Sequence, residues 1–279
     1  MKALLIKILD MKKIILLAII CFCCESVFPQ KSTTNTLKIQ VIKTKHIALS
    51  INGASVDVEG YDGDDLIIEA ITNKIPKVVP DYVKGLNYIR FNNRPQEDNS
   101  LGYKLLRDDS LLYQINISAK CKYVHVKVPN NLYLFSIDAN DGSTDSYLSV
   151  KDLKGPFQAD GSTRTTYISN VSGPFKVSGR QGNVVLSNIL WRSDITWPFK
   201  SASYPTSYLI SSTTGDVDLS LPEDLKASIS FSGGEIYSDL NLTATSKSTF
   251  NLNGGGIKIT AYGGGYTYQY ATFYIRKQK

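Results

Sequence analysis

Four aspartates, Asp138, Asp141, Asp145 and Asp160, are the residues whose type and spacing come nearest to chemistry. Two carboxyl groups at a fixed separation, one kept protonated by its surroundings, are what glycoside hydrolysis needs. A linear pattern supplies neither the separation nor the raised pKa, and aspartates at such positions are ordinarily solvated. A second acidic group, Asp57, Glu59, Asp62, Asp64 and Asp65, has the density of a calcium site without its order. It fits neither an EF-hand loop nor a Gly-Gly-x-Gly-x-Asp ladder. Outward strand positions followed by an Asp-Gly turn account for it.

The two histidines, His46 and His125, stand in separate alternating runs. With no His-x-His, His-Glu-x-x-His or Cys/His cluster, zinc has no ligand set in the sequence. No Gly-x-Ser-x-Gly elbow marks a nucleophilic serine. Gly254–Gly256 and Gly263–Gly265 precede strand-like runs, so they lack the helix N-terminus a phosphate loop uses and read as corners. We therefore assign no catalytic residue, no metal and no cofactor. The candidate ligand-binding residues are Tyr266, Tyr268, Tyr270 and Tyr274, which share one parity of the C-terminal run; Ala271, Phe273 and Ile275 share the other. With the second set in the core, the tyrosines form an outward row whose apolar rings and polar tips suit a wet surface for glycan or protein. The competing expectation, which is preferred, is that they pack as a cap on the last coil.

What must position these residues is a repeat. Phe135, Phe157, Phe175 and Phe199 fall 22, 18 and 24 residues apart, the last three each preceded by Pro in Gly-Pro-Phe or Trp-Pro-Phe. Self-similarity near twenty residues is the mark of a solenoid. Each unit carries an alternating strand at its phenylalanine, a Gly-containing turn and a second strand such as Tyr147–Val150, Tyr167–Val171 or Val184–Ile189. Three short strands and three corners are the content of one β-helix coil, with the phenylalanines stacked inside. Proline belongs at the corners because it lacks the donor a continuing ladder needs. Such a ladder must be capped at both ends.

Upstream, His46–Ile51 and Ala54–Glu59 alternate around Asn52-Gly53, an expected hairpin, and Leu66–Ile71 follows an Asp-Gly turn. Residues 31–44 read as a lead-in, 45–279 as one domain, and 73–110, broken by Pro76, Pro80 and Pro95, as an inserted loop segment with a short helix near Val78–Leu86. Residues 134–222 hold the clearest coils.

Lys12-Lys13 before the apolar Ile14–Ile20 reads as a signal peptide spanning residues 1–30, too short to cross a bilayer as a stable span. Cys21, Cys23 and Cys24 lack a preceding small residue, so a lipoprotein anchor is the lesser alternative. Removing 1–30 leaves 27 Lys/Arg against 23 Asp/Glu. The surplus is scattered, which excludes a nucleic-acid footprint. The mature chain keeps one cysteine, Cys121, and so no internal disulfide.

In their order along the chain, Ala54–Asp65, Val83–Leu86, Asp98–Gly102, Gly215–Pro222, Leu252–Gly256 and Tyr274–Lys277 resemble a known family. It is the putative adhesin domain family of unknown function, found in exported bacterial proteins of the Bacteroidetes type. The resemblance implies an all-β, single-stranded, right-handed parallel β-helix (β-solenoid) with one inserted segment, exported to the periplasm, outer-membrane surface or extracellular space. It carries no catalytic residues. This chain departs from the family where Gly263–Tyr270 replaces the usual Asn-Gly turn. The expected function is non-enzymatic, adhesin-like binding of a surface glycan, an envelope protein or another copy. The alternatives are a β-helix carbohydrate-active enzyme using paired Asp, and a structural envelope spacer. Neither a nucleic-acid partner nor a transmembrane span after signal removal is expected.

Overall fold

Where apolar and polar residues alternate, the chain is strand, because every second side chain then has an interior to enter. The computed structural model describes residues 36–41, 46–71, 88–89, 100–108, 112–120, 123–130, 132–140, 146–162, 165–192, 208–232, 235–264 and 271–278. The chain divides between Lys31 and Ser32, and all described residues lie on the Ser32–Lys279 side. They form strands and no helix. The first are β1 (Thr36–Gln40), β2 (His46–Asn52), β3 (Ser55–Tyr61), β4 (Asp65–Ile71), β5 (Tyr88–Ile89), β6 (Ser100–Asp108), β7 (Leu112–Lys120) and β8 (Tyr123–Pro129). The middle holds β9 (Leu134–Asn140), β10 (Tyr147–Lys151), β11 (Phe157–Asp160), β12 (Thr165–Ser169), β13 (Phe175–Gly179), β14 (Val184–Ser187), β15 (Tyr208–Ser212) and β16 (Val217–Leu221). Last come β17 (Ala227–Ser232), β18 (Ile236–Ser238), β19 (Thr243–Ala244), β20 (Thr249–Leu252), β21 (Ile257–Gly263) and β22 (Phe273–Lys277).

The strands make two long mixed sheets and no closed barrel. Sheet A runs β1-β4-β8-β3-β10-β12-β14-β16-β22-β18, and sheet B runs β19-β20-β17-β21-β15-β13-β11-β9-β2-β7-β6-β5. From β9 to β16 the chain passes from one sheet to the other at every strand, and each pair of strands is one circuit. Successive circuits pair in parallel and in register: Phe135, Phe157 and Phe175 are direct neighbours, as are Leu148 and Ile168 with their counterparts. All three phenylalanines are fully buried, with the rings of Phe157 and Phe175 5.4 Å apart. Burying each is worth about 1.5–3 kcal/mol.

Two details of the repeat differ from expectation. The third strand of each unit shrinks to one residue, through the parallel bridges Lys154–Ser172 and Ser172–Leu190. These bridges lie beside a corner where Asp152, Asn170 and Asn188 all hold a left-handed conformation near φ +50°. That geometry suits Asp and Asn, and Asn170 donates to the Asp152 carboxylate. The second difference is the partner of Phe175. Phe199 lies outside the described residues, and the register Val177–Ile210 puts Tyr208 beside Phe175, with ring centroids 4.9 Å apart. A tyrosine can stand in this column because its hydroxyl donates to Arg192 O at 2.9 Å.

At both ends, spatial order departs from chain order. β2 and β3 lie between the β7–β8 circuit and the β9–β10 circuit. β21 and β22 lie between β15–β16 and β17–β18. Asn52-Gly53 is consequently not a hairpin, since β2 and β3 belong to different sheets. It is a corner, where Gly53 (φ +93°) packs so closely that a Cβ would meet Ala119 O at 2.3 Å. The lead-in contains a strand, β1, antiparallel to β4. The 73–110 segment is likewise more than a loop, because its β5 and β6 extend sheet B, β6 antiparallel to β7. The helix expected near Val78–Leu86 falls outside the described residues. At the far end of sheet B, β20 and β19 are antiparallel additions on β17. An antiparallel pairing thus interrupts the parallel ladder near both ends of sheet B and at the β1 end of sheet A, and the outermost strands β5, β19 and β18 are only two or three residues long. Short or reversed edges discourage templated addition.

Candidate functional site

The outward residues of sheet B line up across strands because the parallel registers add without a bulge from β7 to β21. One row reads Asn116, Ser50, Asp138, Asp160, Ser178, Ser211, Tyr262. The row beside it reads Gln114, Ala48, Ser136, Gln158, Lys176. Ala48, Ser50 and Ser136 are small, whereas Gln114, Asn116, Gln158 and Lys176 stand taller on either side. The difference in height leaves an open cleft of about 360 Å³ across β7, β2, β9, β11 and β13. Ser136 on the lining is held by His46, whose Nε2 is 2.6 Å from Ser136 Oγ, and burial pushes the His46 pKa below the ordinary 6.5.

Of the four sequence-nominated aspartates, the structure brings Asp138 and Asp160 onto adjacent strands in register, with Cα atoms about 4.8 Å apart by strand spacing. Asp141 and Asp145 lie outside the described residues. Asp160 accepts Ser162 N–H at 2.9 Å and faces Arg180 Nε at 3.8 Å. Gln158 brings an unmet demand: its Nε2 is closed off from solvent and has no acceptor. A buried donor in that condition costs about 1–3 kcal/mol. The cleft therefore offers carboxylate and hydroxyl acceptors, amide groups and one cation, all on a rigid ladder.

The outer face of sheet A is arranged differently, because its polar groups satisfy one another. His125 is buried with Nε2 3.1 Å from Glu59 and Nδ1 3.8 Å from Glu69. Glu59 also meets Lys151 at 3.4 Å, and Tyr147 donates to Asp57 at 2.8 Å. Burial lowers the His125 pKa in spite of the upward pull of Glu59, Asp57 and Glu69. Burial, aided by Asp57, raises that of Tyr123. Asp62 turns away from this group and accepts from Asn130 Nδ2 at 3.0 Å. The five acids weighed against a calcium site are spread out, with Asp57 and Glu59 on the sheet and Asp62 at a corner. Among the described residues no three His, Cys, Asp or Glu side chains converge as metal ligands would.

Of the nominated tyrosines, Tyr266, Tyr268 and Tyr270 lie outside the described residues, as does Cys121. Ala271, Phe273 and Ile275 are buried. Tyr274 is on the outer face of sheet A, stacked on Tyr237 with centroids 5.7 Å apart and planes 17° apart. The Arg276 guanidinium lies 5.3 Å from the Tyr274 ring centre, and its Nε donates to both Asp218 oxygens at 2.8–2.9 Å. β22 is an interior strand, so Tyr274 caps no end. Sequence reasoning missed Asn116, Ser50, Gln158 and Tyr262. Asn116, Ser50 and Tyr262 join the row only through pairing between strands distant in sequence, and an unpartnered amide leaves no trace in a linear pattern.

No family model matches the chain, and no curated protein matches it. Among solved structures the chain is similar to a "putative cell adhesion protein" from Clostridium sporogenes, at 12% identity and a TM-score of 0.40, over 90% of this chain and 100% of that one. Among the described residues no helix is long and apolar enough to cross a membrane.

Proposed function

We propose that this chain is an exported, non-enzymatic β-solenoid of adhesin-like character that binds a hydroxyl-rich surface ligand on the outer face of sheet B. In this reading the circuits form a single-stranded, right-handed parallel β-helix, and residues 1–30 direct export. The observation that carries it is the in-register polar row from Asn116 to Ser178, standing over a cleft with small side chains on its floor. A backbone ladder holds the carboxylates and amides at fixed spacings, so no loop must be ordered before they meet hydroxyl groups. The enzyme alternative draws on the pairing of Asp138 with Asp160. Against it, Asp160 already accepts from Ser162 N–H and faces Arg180, partners that suit a fixed surface carboxylate.

The experiment is a glycan array probed with the purified protein and with the Asp138→Asn/Asp160→Asn double variant, folding checked by circular dichroism. The expected result is binding that the double variant loses. Binding lost only on changing Tyr266, Tyr268 and Tyr270 to Ser would move the site to the C-terminal run. Turnover of a polysaccharide, abolished in the double variant, would establish the enzyme instead. The absence of any binding would leave the spacer.

A further inference from the structure

Resting on the reading above, we infer that the ligand is a neutral oligosaccharide chain lying across the strands, held by Asp138 and Asp160 at one end and stacked on Tyr262 at the other. Charge sets the class. Two carboxylates stand in register at the heart of the cleft, with Lys176 on its lining and Arg180 3.8 Å from Asp160, so the formal charges offset and no positive field draws an anion in. A uronate, sialate or phosphate would set its own negative charge against this aspartate pair, whereas sugar hydroxyls donate charge-assisted hydrogen bonds to the same oxygens. The Gln158 amide, which has no acceptor in the protein, takes a hydroxyl or ring oxygen after a turn about its last bond.

Direction and length come from the register. The row continues from Asp160 through Ser178 and Ser211 to Tyr262, three strand spacings or about 14 Å away. Tyr262 is 49% exposed on the outer face of sheet B. A ring standing in line with a polar cleft offers its face to the C–H side of a sugar, as aromatic platforms do. A monosaccharide cannot reach both groups, but a short oligomer can.

The test measures affinities of the purified protein for two length series, neutral malto- and cello-oligosaccharides and anionic oligogalacturonates, by calorimetry. Neutral affinity should rise with length until the chain spans the row. In Tyr262→Ala the long-chain advantage should fall about tenfold while the shortest binding oligomer is unaffected. The anionic series should bind at least about tenfold more weakly, and the gap should narrow in Asp138→Asn/Asp160→Asn. Anionic oligomers that bind equally or better would overturn the inference while leaving the binding face standing, as would a Tyr262→Ala variant unchanged at every length. Binding of neither series here, together with an array blank for every glycan, would sink both the inference and the reading beneath it.

Discussion

The middle circuits and the two ends are built from the same alternating strands, yet they are held together differently. In the middle, a strand pairs with neighbours 18 or 22 residues away, as Phe157 does with Phe175 and Phe135. At the ends the separations lengthen: His46 stands against Leu112 and Leu134, and Val217 against Phe273. Loop-closure entropy rises slowly with length, so stability tolerates such pairings, but they must wait for most of the chain to be present. The difference suggests a division of labour. The local repeat supplies a long regular ladder, and the interleaving sets β2, β3, β21 and β22 inside it, away from the edges where fraying begins.

The strongest way to break this comparison is by deletion. Removing Phe157–Pro174 in frame takes out one 18-residue circuit and leaves Phe135 able to pair with Phe175. We expect a folded protein with a lowered melting temperature. Removing Ile257–Lys279 strips β21 and β22 from between two circuits and exposes open edges on both, so the product should aggregate or lose its β-sheet signal. Equal tolerance of the two deletions would contradict the division. Next in size is Phe157→Ala, which hollows the middle column; denaturant unfolding should show a loss of about 3–5 kcal/mol. A loss below about 1 kcal/mol would contradict the place of the column in the core.

The phenylalanine column and its Gly-Pro corners are legible in the sequence because each circuit repeats its neighbour locally. Asp138 and Asp160 are legible as candidates for the same reason. Tyr208 as the successor of Phe175 is not, since the intervening 193–207 shifts the spacing from the repeat. The interleaving is invisible too: nothing at Ser50 or Ile257 names a partner dozens of residues away. The Asn52-Gly53 dipeptide misled because a left-handed glycine serves a corner as well as a hairpin.

A smaller effect sharpens the contrast through pH. Burial holds the pKa values of both His46 and His125 below the ordinary 6.5, so the folded protein keeps these rings neutral. The unfolded chain takes up protons first as pH falls below 6.5, and stability declines through that window. At His125, protonation is eased by Glu59, Asp57 and Glu69 and resisted by Lys127, which tempers the fall. Both histidines belong to the N-terminal circuits, so hydrogen exchange near about pH 5 should quicken in β2 and β8 before β11 and β13. His46→Gln should flatten the melting profile; a melting temperature that climbs on acidification contradicts this.

The interleaving and the polar row meet at Ser50, between Asn116 and Asp138, and again at Ser211 beside Tyr262. In a Cys121→Ser background, Ser211→Cys/Tyr262→Cys should form a disulfide under mild oxidation, since adjacent strands bring the Cα atoms within the required 4.4–6.8 Å or so. Ser211→Cys/Ser232→Cys should not, because β21 separates β15 from β17 by two spacings, about 9.6 Å. The reverse outcome, with Ser211 crosslinking to Ser232 and sparing Tyr262, would show circuits stacked in chain order and would take Tyr262 off the row.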